Sequence, residues 1–229
     1  MKSVGPRLVP FLKTAAAFFI LYPEKVPRGL VYLAFKLAPV CCLIGFVLSL
    51  GVARGNIFAY NRRITLGLLL SALGDAALVF EDGFLAGVAS FAAAQLCYTL
   101  AFGMQPPSRR LGCFMAAAGS LIYACIIPSV HGLSLRCIGL LYTCLIFTML
   151  WRASARLNSG AWTSVSALLG AVLFVASDLS LVIDKFLVPL PAAHAFVMAT
   201  YYLAQLGIAL SCVDSHIRHT GELSLAHQQ

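Results

Sequence analysis

Apolar residues form eight long runs along the chain, separated by short clusters of charged and turn-forming residues. A helix needs about 20 predominantly apolar residues to cross the hydrocarbon of a bilayer, and these runs approach or reach that length. The pattern therefore predicts an all-α membrane protein whose eight transmembrane helices form one domain over residues 1–213, followed by a short tail at 214–229. The predicted spans are 7–22, 30–51, 63–80, 83–104, 111–129, 134–153, 162–184 and 187–213.

The first run is the weakest of the eight. It is short, begins near Pro10 and carries Lys13, whose ammonium must reach one membrane interface. A secretory signal peptide is the alternative, but that would end at a small-residue cleavage site followed by a soluble domain. Neither feature follows this run, so we expect it to be a transmembrane helix.

Composition agrees with a membrane protein. The chain is 61% hydrophobic and 10% charged, with a mean hydropathy of +0.91. Ordinary soluble domains are about 45–50% apolar and about 25% charged. The eight cysteines are scattered within or near the runs and form neither a CxxC pair nor a cluster with zinc spacing, so we expect no metal site, no cofactor and no disulfide framework.

Basic residues predict the orientation of the spans. If the N-terminus is cytosolic, the cytosolic segments contain eleven of the sixteen Lys and Arg residues. The positive-inside rule then places both termini and the 214–229 tail in the cytosol. The net charge of +8 needs no nucleic-acid partner, because it is mostly this cytosolic group. The eleven residues are Lys2, Arg7, Lys13, Arg54, Arg62, Arg63, Arg109, Arg110, Arg152, Arg156 and Arg218; the other five are Lys25, Arg28, Lys36, Arg136 and Lys185.

Two acidic residues, Asp75 and Asp178, lie inside apolar runs. A carboxylate in hydrocarbon costs about 2.5–3.5 kcal/mol on insertion scales, so it is rarely kept without a partner or a function. Aligning the chain with itself at an offset of 103 pairs these two acids, and it also pairs Tyr98 with Tyr201, without a gap over about 28 residues. We interpret this as a parallel repeat of a helical hairpin, spans 3–4 and 7–8; a full four-plus-four duplication stays open.

Loop counting predicts the depth of the two acids. Each lies six residues before an acidic loop residue, Glu81 or Asp184, and therefore roughly 9 Å of helix from that loop. Reversal of the chain near residue 186 then places His194 at the depth of Asp178. His194 is a candidate proton or hydrogen-bond partner of that acid, and the alternative is an interfacial histidine that faces lipid headgroups.

Other polar residues in the apolar runs are candidates for the same site. His194, Tyr201 and Gln205 share one face of the eighth span, and Gln95 and Tyr98 share one face of the fourth. Polar side chains in lipid need partners, so these faces should point inward, although simple bonding between helices would explain them equally well.

Lys36 adds a cation inside the second span, where three roles are open. Its ammonium could reach the interface, pair with a buried aspartate, or hold a phosphate. The second span is apolar on both sides of it, so we favour a position inside the bundle. Lys36, Asp75 and Asp178 would then form a charged, partly wet cavity.

Several motifs resemble those of the lysoplasmalogenase family, the YhhN-like integral membrane proteins, and are most similar to its animal branch. The resemblance covers most of the chain, and relatives often have histidine at the position of Gln95. The motifs are KLAPV at 36–40, SALGDAALVF at 71–80, TMLWR at 148–152 and SDLSLVIDKFLVPLPAAHAFVMATYYLAQL at 177–206.

The resemblance implies an ether hydrolase that cleaves the vinyl ether bond of lysoplasmalogen, releasing a fatty aldehyde and glycerophosphocholine or glycerophosphoethanolamine. Such a bond hydrolyses by protonation at carbon, so one protonated acid and one ionised carboxylate are needed, much as in glycosidases. We expect Asp75 to be the acid and Asp178 the base or ion stabiliser. Lys36 would hold the phosphate or tune the pair. Asp184 would support His194 or contact the headgroup, and Gln95, Tyr98, Tyr201, Tyr202 and Gln205 would line the cavity.

Two other function classes stay open. Intramembrane Asp and Lys also occur in proton- or ion-coupled transporters, where parallel repeats are known. A structural scaffold would use the same charges only as fold-specifying ion pairs. The expected partners are a lysophospholipid substrate and the lipid bilayer, with a homodimer left open, and the resemblance implies the endoplasmic reticulum membrane.

Overall fold

The computed structural model describes residues 4–22, 29–52 and 58–213, and within these ranges the chain forms eight α-helices and no strand. This confirms the predicted all-α class. The tail at 214–229 and the loop residues Lys25, Arg28 and Arg54 lie outside the described residues. The helices are α1 (Val4–Leu21), α2 (Leu30–Leu50), α3 (Ala59–Ala77), α4 (Phe84–Phe102), α5 (Arg109–Ile126), α6 (Leu133–Ala155), α7 (Trp162–Phe186) and α8 (Ala193–Leu210).

Seven of the eight described helices are long and apolar enough to cross a membrane, so the chain is a multi-pass membrane protein. The exception is α3, whose first turns contain Asn61, Arg62 and Arg63 and lower its hydropathy. With 19 residues, α3 is still about 28 Å long, close to the thickness of the hydrocarbon. It packs between α2 and α4, and we count it as a membrane span together with the other seven helices.

The largest difference from the predicted boundaries is the start of α8. The apolar run suggests residue 187, whereas the helix begins at Ala193. Pro189 and Pro191 explain the delay, because proline lacks the backbone N–H that an α-helix interior requires. The intervening loop is tied to the end of α7, where Asp184 Oδ1 accepts a hydrogen bond from the backbone N–H of Leu190 at 2.8 Å.

Helix packing repeats between the first four helices and the last four. The most extensive contacts are α3 with α4 and α7 with α8, the two hairpins of the predicted repeat. In each half the first helix packs on the second and the second on the third. Between halves, α4 packs on α6 and α8 on α2. Exchanging every helix for the one four positions later reproduces each of these contacts, whereas the weaker contact of α3 with α8 lies outside the pattern. The repeat therefore extends to the main helix contacts of the bundle.

Small residues let α7 and α8 approach closely. Gly170 faces the α8 backbone, and Gly207 faces the α7 backbone at Ser166 and Gly170. The Ser166 hydroxyl donates a hydrogen bond to Gly207 O at 2.9 Å across the same contact. Such small-residue contacts are typical of membrane helices, in which packing replaces the hydrophobic effect as the force that joins helices.

We predict that Gly207→Ala destabilises the bundle by about 1–3 kcal/mol, the usual cost of overpacking. A Cβ at this position would lie 2.8 Å from Ser166 O and 2.9 Å from Gly170 Cα, so backbone would have to move. The measurement is the midpoint of thermal unfolding in detergent. Gly45→Ala is the control, because its Cβ would meet no atom within 4 Å; equal midpoints for the two variants would contradict the proposed backbone contact.

Candidate active site

A cavity of about 530 Å³ lies at one end of the bundle. At this end α3, α5 and α7 end and α4, α6 and α8 begin, and we call it the α7–α8 loop end. Both intramembrane aspartates line it, so the fold brings together two residues that are 103 positions apart. Its walls are otherwise mostly apolar. The polar and charged residues of the lining are Tyr32, Lys36, Asp75, Tyr123, Arg136, Tyr142, Thr143, Ser177, Asp178, Asp184, Lys185, His194 and Tyr201.

Asp75 is held by a cation and a phenol. Lys36 Nζ lies 3.0 Å from Asp75 Oδ1 and also donates to the backbone oxygen of Asp75 at 3.2 Å. The Tyr201 hydroxyl donates to Asp75 Oδ2 at 2.5 Å. Both carboxylate oxygens are therefore engaged, and the residue is only 3% exposed. An opposite charge and a hydrogen-bond donor both stabilise the ionised form of a carboxyl group.

Lys36 is itself fixed in place by α8. The Tyr202 hydroxyl donates to the backbone oxygen of Lys36 at 2.9 Å, which joins α2 to α8 beside the ion pair. The Lys36 side chain is buried together with that of Asp75. Of the three roles that the sequence left open for this lysine, the structure places it in an ion pair with a buried aspartate.

Asp178 has a different environment. Among the described residues its side-chain partner is Tyr142, whose hydroxyl donates to Asp178 Oδ2, and no cation lies within ion-pair distance. The carboxyl groups of Asp75 and Asp178 line the same cavity. Two negative charges in one buried site repel, which favours a state in which one of the two carboxyl groups carries a proton. Among the described residues, Asp178 lacks the ion-paired cation that Asp75 has.

His194 lies in the wall of the cavity, but it is not a hydrogen-bond partner of Asp178. Its Nε2 lies 3.0 Å from the Tyr32 hydroxyl, and its ring packs against Phe18 with the centroids 5.9 Å apart. Asp184, the other candidate partner, has one oxygen bonded to Leu190 in the loop. The loop counting assumed that the chain reverses near residue 186, whereas α8 begins at Ala193. This later start explains why His194 does not bond to Asp178.

Four of the candidate residues lie behind the cavity wall. Tyr98 donates to Gln205 Oε1 at 2.8 Å, and its hydroxyl is also 3.3 Å from Ser71 Oγ, which connects α3, α4 and α8. Tyr202 bonds to the α2 backbone. Gln95 is fully buried beside Tyr142, yet its amide atoms have no hydrogen-bond geometry to a described residue. Bonding between helices, the alternative considered above, describes Tyr98, Tyr202 and Gln205.

The most important residue that sequence reasoning missed is Tyr142. It stands alone in the apolar run of α6, and a single tyrosine carries little signal. Extending the 103-residue offset to the second span would have pointed to it, since Lys36 aligns with Gly139, one helical turn from Tyr142. Tyr32 and Arg136 also line the cavity. Tyr32 is another single tyrosine in an apolar run, and the sequence pattern indicated only the membrane side of Arg136.

Comparison with known proteins agrees with the sequence resemblance. The sequence profile of the YhhN family matches residues 31–212. Lysoplasmalogenase TMEM86A of Homo sapiens is 40% identical over 223 residues, which are 94% of this chain and 92% of that protein. Lysoplasmalogenase TMEM86A of Bos taurus is 38% identical over 221 residues, 94% and 92% of the two chains. Lysoplasmalogenase TMEM86B of Sus scrofa is 38% identical over 216 residues, 93% and 88%. No solved structure gives a significant match to the chain.

We predict that Lys36→Met lowers the free energy of unfolding by about 3–5 kcal/mol, because it leaves the buried Asp75 carboxylate without its cation. The double variant Lys36→Met/Asp75→Asn should recover much of that loss. Unfolding in a mixed-detergent titration, followed by tryptophan fluorescence, measures both. Lys13→Met, which removes an exposed lysine, is the control; a double variant no more stable than Lys36→Met would contradict the pairing.

Proposed function

This chain belongs to the YhhN family, and we propose that it is a lysoplasmalogenase that uses Asp75 and Asp178 for acid–base hydrolysis of a vinyl ether. The relatives at 38–40% identity carry that name over almost their whole length. One observation supports the mechanism above all others. Two carboxyl groups line one cavity, and within the described part of the chain only Asp75 is paired with a cation.

The proposed reaction consumes one water molecule. A proton is added to the β-carbon of the vinyl ether, which produces an oxocarbenium ion, and water attacks the adjacent carbon. The resulting hemiacetal loses its hydroxyl proton, its bond to the glycerol oxygen breaks, and that oxygen takes up a proton. The products are a fatty aldehyde and a glycerophospho headgroup. Glycosidases stabilise a similar cation with one acid and one carboxylate.

We assign the acid to Asp178 and the ion-stabilising carboxylate to Asp75, the reverse of the sequence-based expectation. Lys36 and Tyr201 stabilise Asp75 as an anion, ready to face the positive charge of the oxocarbenium ion. Tyr142 occupies one oxygen of Asp178 and leaves the other to carry the proton. After transfer, the Tyr142 hydroxyl stabilises the new carboxylate, which then accepts a proton from the attacking water.

The other candidate residues have supporting roles in this proposal. Apolar cavity walls, including Phe91 and Met198, accommodate the alkenyl chain. Gln95, Tyr98, Tyr202 and Gln205 act by positioning the helices that carry Tyr201, Tyr142 and Lys36. A transporter is not favoured, because the similar proteins named above are all lysoplasmalogenases.

We further propose that the protein resides in the endoplasmic reticulum membrane with both termini in the cytosol. The distribution of Lys and Arg among the loops supports the orientation under the positive-inside rule, and the family resemblance supports the organelle. The lysophospholipid substrate would then reach the cavity from the bilayer. A homodimer is compatible with this arrangement, but the mechanism does not require one.

The reaction class is tested by incubating purified protein with lysoplasmalogen and with its saturated-ether analogue. We expect aldehyde release only from the vinyl ether. Asp178→Asn should lower kcat by about 10²–10⁴-fold, the usual contribution of a general acid. Asp75→Asn should lower kcat by about 10²–10³-fold, the usual cost of removing one group that stabilises a developing charge. Asp82→Asn, which alters an exposed loop acid, is the control and should retain full activity. Wild-type rates in either folded site variant would falsify the two-carboxylate mechanism.

Infrared spectroscopy tests which aspartate carries the proton. At neutral pH we expect the carbonyl stretching band of a buried protonated carboxylic acid in the wild type and in Asp75→Asn. The band should disappear in Asp178→Asn, because that variant removes the only carboxyl group assigned a proton. Loss of the band in Asp75→Asn and its persistence in Asp178→Asn would reverse the assignment.

A further inference from the structure

We propose that Arg136, together with Lys185, binds the phosphate of the substrate at the α7–α8 loop end of the cavity. This inference rests on the proposed function and adds a subsite to it. A phosphodiester that enters a largely apolar cavity keeps its negative charge, so it needs a cation there. Lys36 was the candidate from the sequence, but its ammonium is already committed to two oxygens of Asp75. The phosphate must therefore find another cation.

Arg136 is held at the cavity wall by its own neighbours. Its Nε–H donates to Val130 O at 2.9 Å, and its backbone oxygen accepts from the Tyr123 hydroxyl at 2.9 Å. No described carboxylate pairs with its guanidinium. A guanidinium has five N–H donors, so the remaining donors of a pre-positioned Arg136 can bind phosphate oxygens.

Lys185 supplies a second cation at the same end of the cavity. Its ammonium lies 3.6 Å from the centre of the Phe84 ring, at the start of α4. Arg136 belongs to the start of α6 and Lys185 to the end of α7, and both line the cavity. The two cations therefore come from different helices, as expected for a site that encloses an anion.

Distances along the helices match the length of the substrate. Arg136 precedes Tyr142 by six residues, and Lys185 follows Asp178 by seven, which are about 9 Å and about 10 Å of helix. Because α6 and α7 run in opposite directions, both displacements point toward the loop end. Seven bonds separate the phosphorus of lysoplasmalogen from its β-carbon, a span of about 8–9 Å when extended. A phosphate between Arg136 and Lys185 thus leaves the β-carbon within reach of Asp178.

The test compares lysoplasmalogen with 1-O-alkenylglycerol, which has the same vinyl ether but no phosphate, in neutral detergent micelles. We expect the wild type to have a lower KM for lysoplasmalogen than for 1-O-alkenylglycerol. Arg136→Gln should raise KM for lysoplasmalogen about ten- to a hundredfold, the range for a hydrogen bond to a charged group, and leave hydrolysis of the neutral substrate unchanged. The KM of Arg136→Lys for lysoplasmalogen should lie between that of the wild type and that of Arg136→Gln. Arg110→Gln, at an exposed arginine of α5, is the control.

An equal loss for both substrates would overturn the inference, since it would mean that Arg136 supports the fold or the chemistry rather than the phosphate. Lys185→Gln provides a second variant if Arg136→Gln does not fold. Glycerophosphocholine should compete in the wild type and not in Arg136→Gln, whereas equal competition by inorganic phosphate would identify a general anion site instead of a headgroup site.

Binding of uncleavable lipids separates this inference from the proposed function. The saturated-ether lysophospholipid should bind the wild type more tightly than the corresponding ether of glycerol, and Arg136→Gln should remove the difference. If the wild type releases no aldehyde but still shows this difference, the reaction is wrong and the phosphate site stands. If it releases aldehyde but shows no difference, the reaction stands and the phosphate site is refuted.

Discussion

The buried ion pair between Lys36 and Asp75 organises the rest of the site. An isolated charge is expensive at this depth in a membrane, and the pair removes that cost for two charges at once. The pair also contacts α8, because the Tyr201 hydroxyl donates to Asp75 and the Tyr202 hydroxyl donates to the backbone oxygen of Lys36. Three helices are thus fixed around one carboxylate. The other carboxyl group, Asp178, lines the same cavity, but its partner is the Tyr142 hydroxyl and not the Lys36 ammonium.

Symmetric packing and asymmetric chemistry coexist in the bundle. The two halves repeat the same helix contacts, and each carries one aspartate on its third helix. In both halves the preceding helix provides the partner of that aspartate, but the first supplies an ammonium and the second a phenol. A strictly symmetric pair would give both aspartates the same tendency to hold a proton. The difference between Lys36 and Tyr142 gives the two aspartates different partners, and our proposal of one acid and one anion rests on that difference.

The sequence was sufficient to predict the eight helices, their order and the two aspartates, because membrane spans and buried charges leave strong signals in composition. It could not predict side-chain partners. Tyr98 and Tyr201 occupy equivalent places in the repeat, yet Tyr201 bonds to Asp75 and Tyr98 to Gln205. That choice depends on the rotation of α4 and α8, which apolar periodicity does not specify. Likewise, loop length makes His194 a candidate partner of Asp178, with an interfacial histidine as the alternative, but two prolines delay α8 and the ring bonds to Tyr32.

The order of the partners along the chain has a consequence for biosynthesis. Lys36 precedes Asp75, and Tyr142 precedes Asp178, so each aspartate enters the membrane after the helix that holds its partner. Because membrane proteins are made from the N-terminus, the Lys36–Asp75 pair can form as soon as α3 has been inserted, before the ribosome has synthesised the second half. Tyr201 then reaches a carboxylate that is already neutralised. Neither acid therefore enters before the helix that carries its partner, and the one charge that must wait for its partner is Lys36, a residue whose long side chain can reach an interface until α3 arrives.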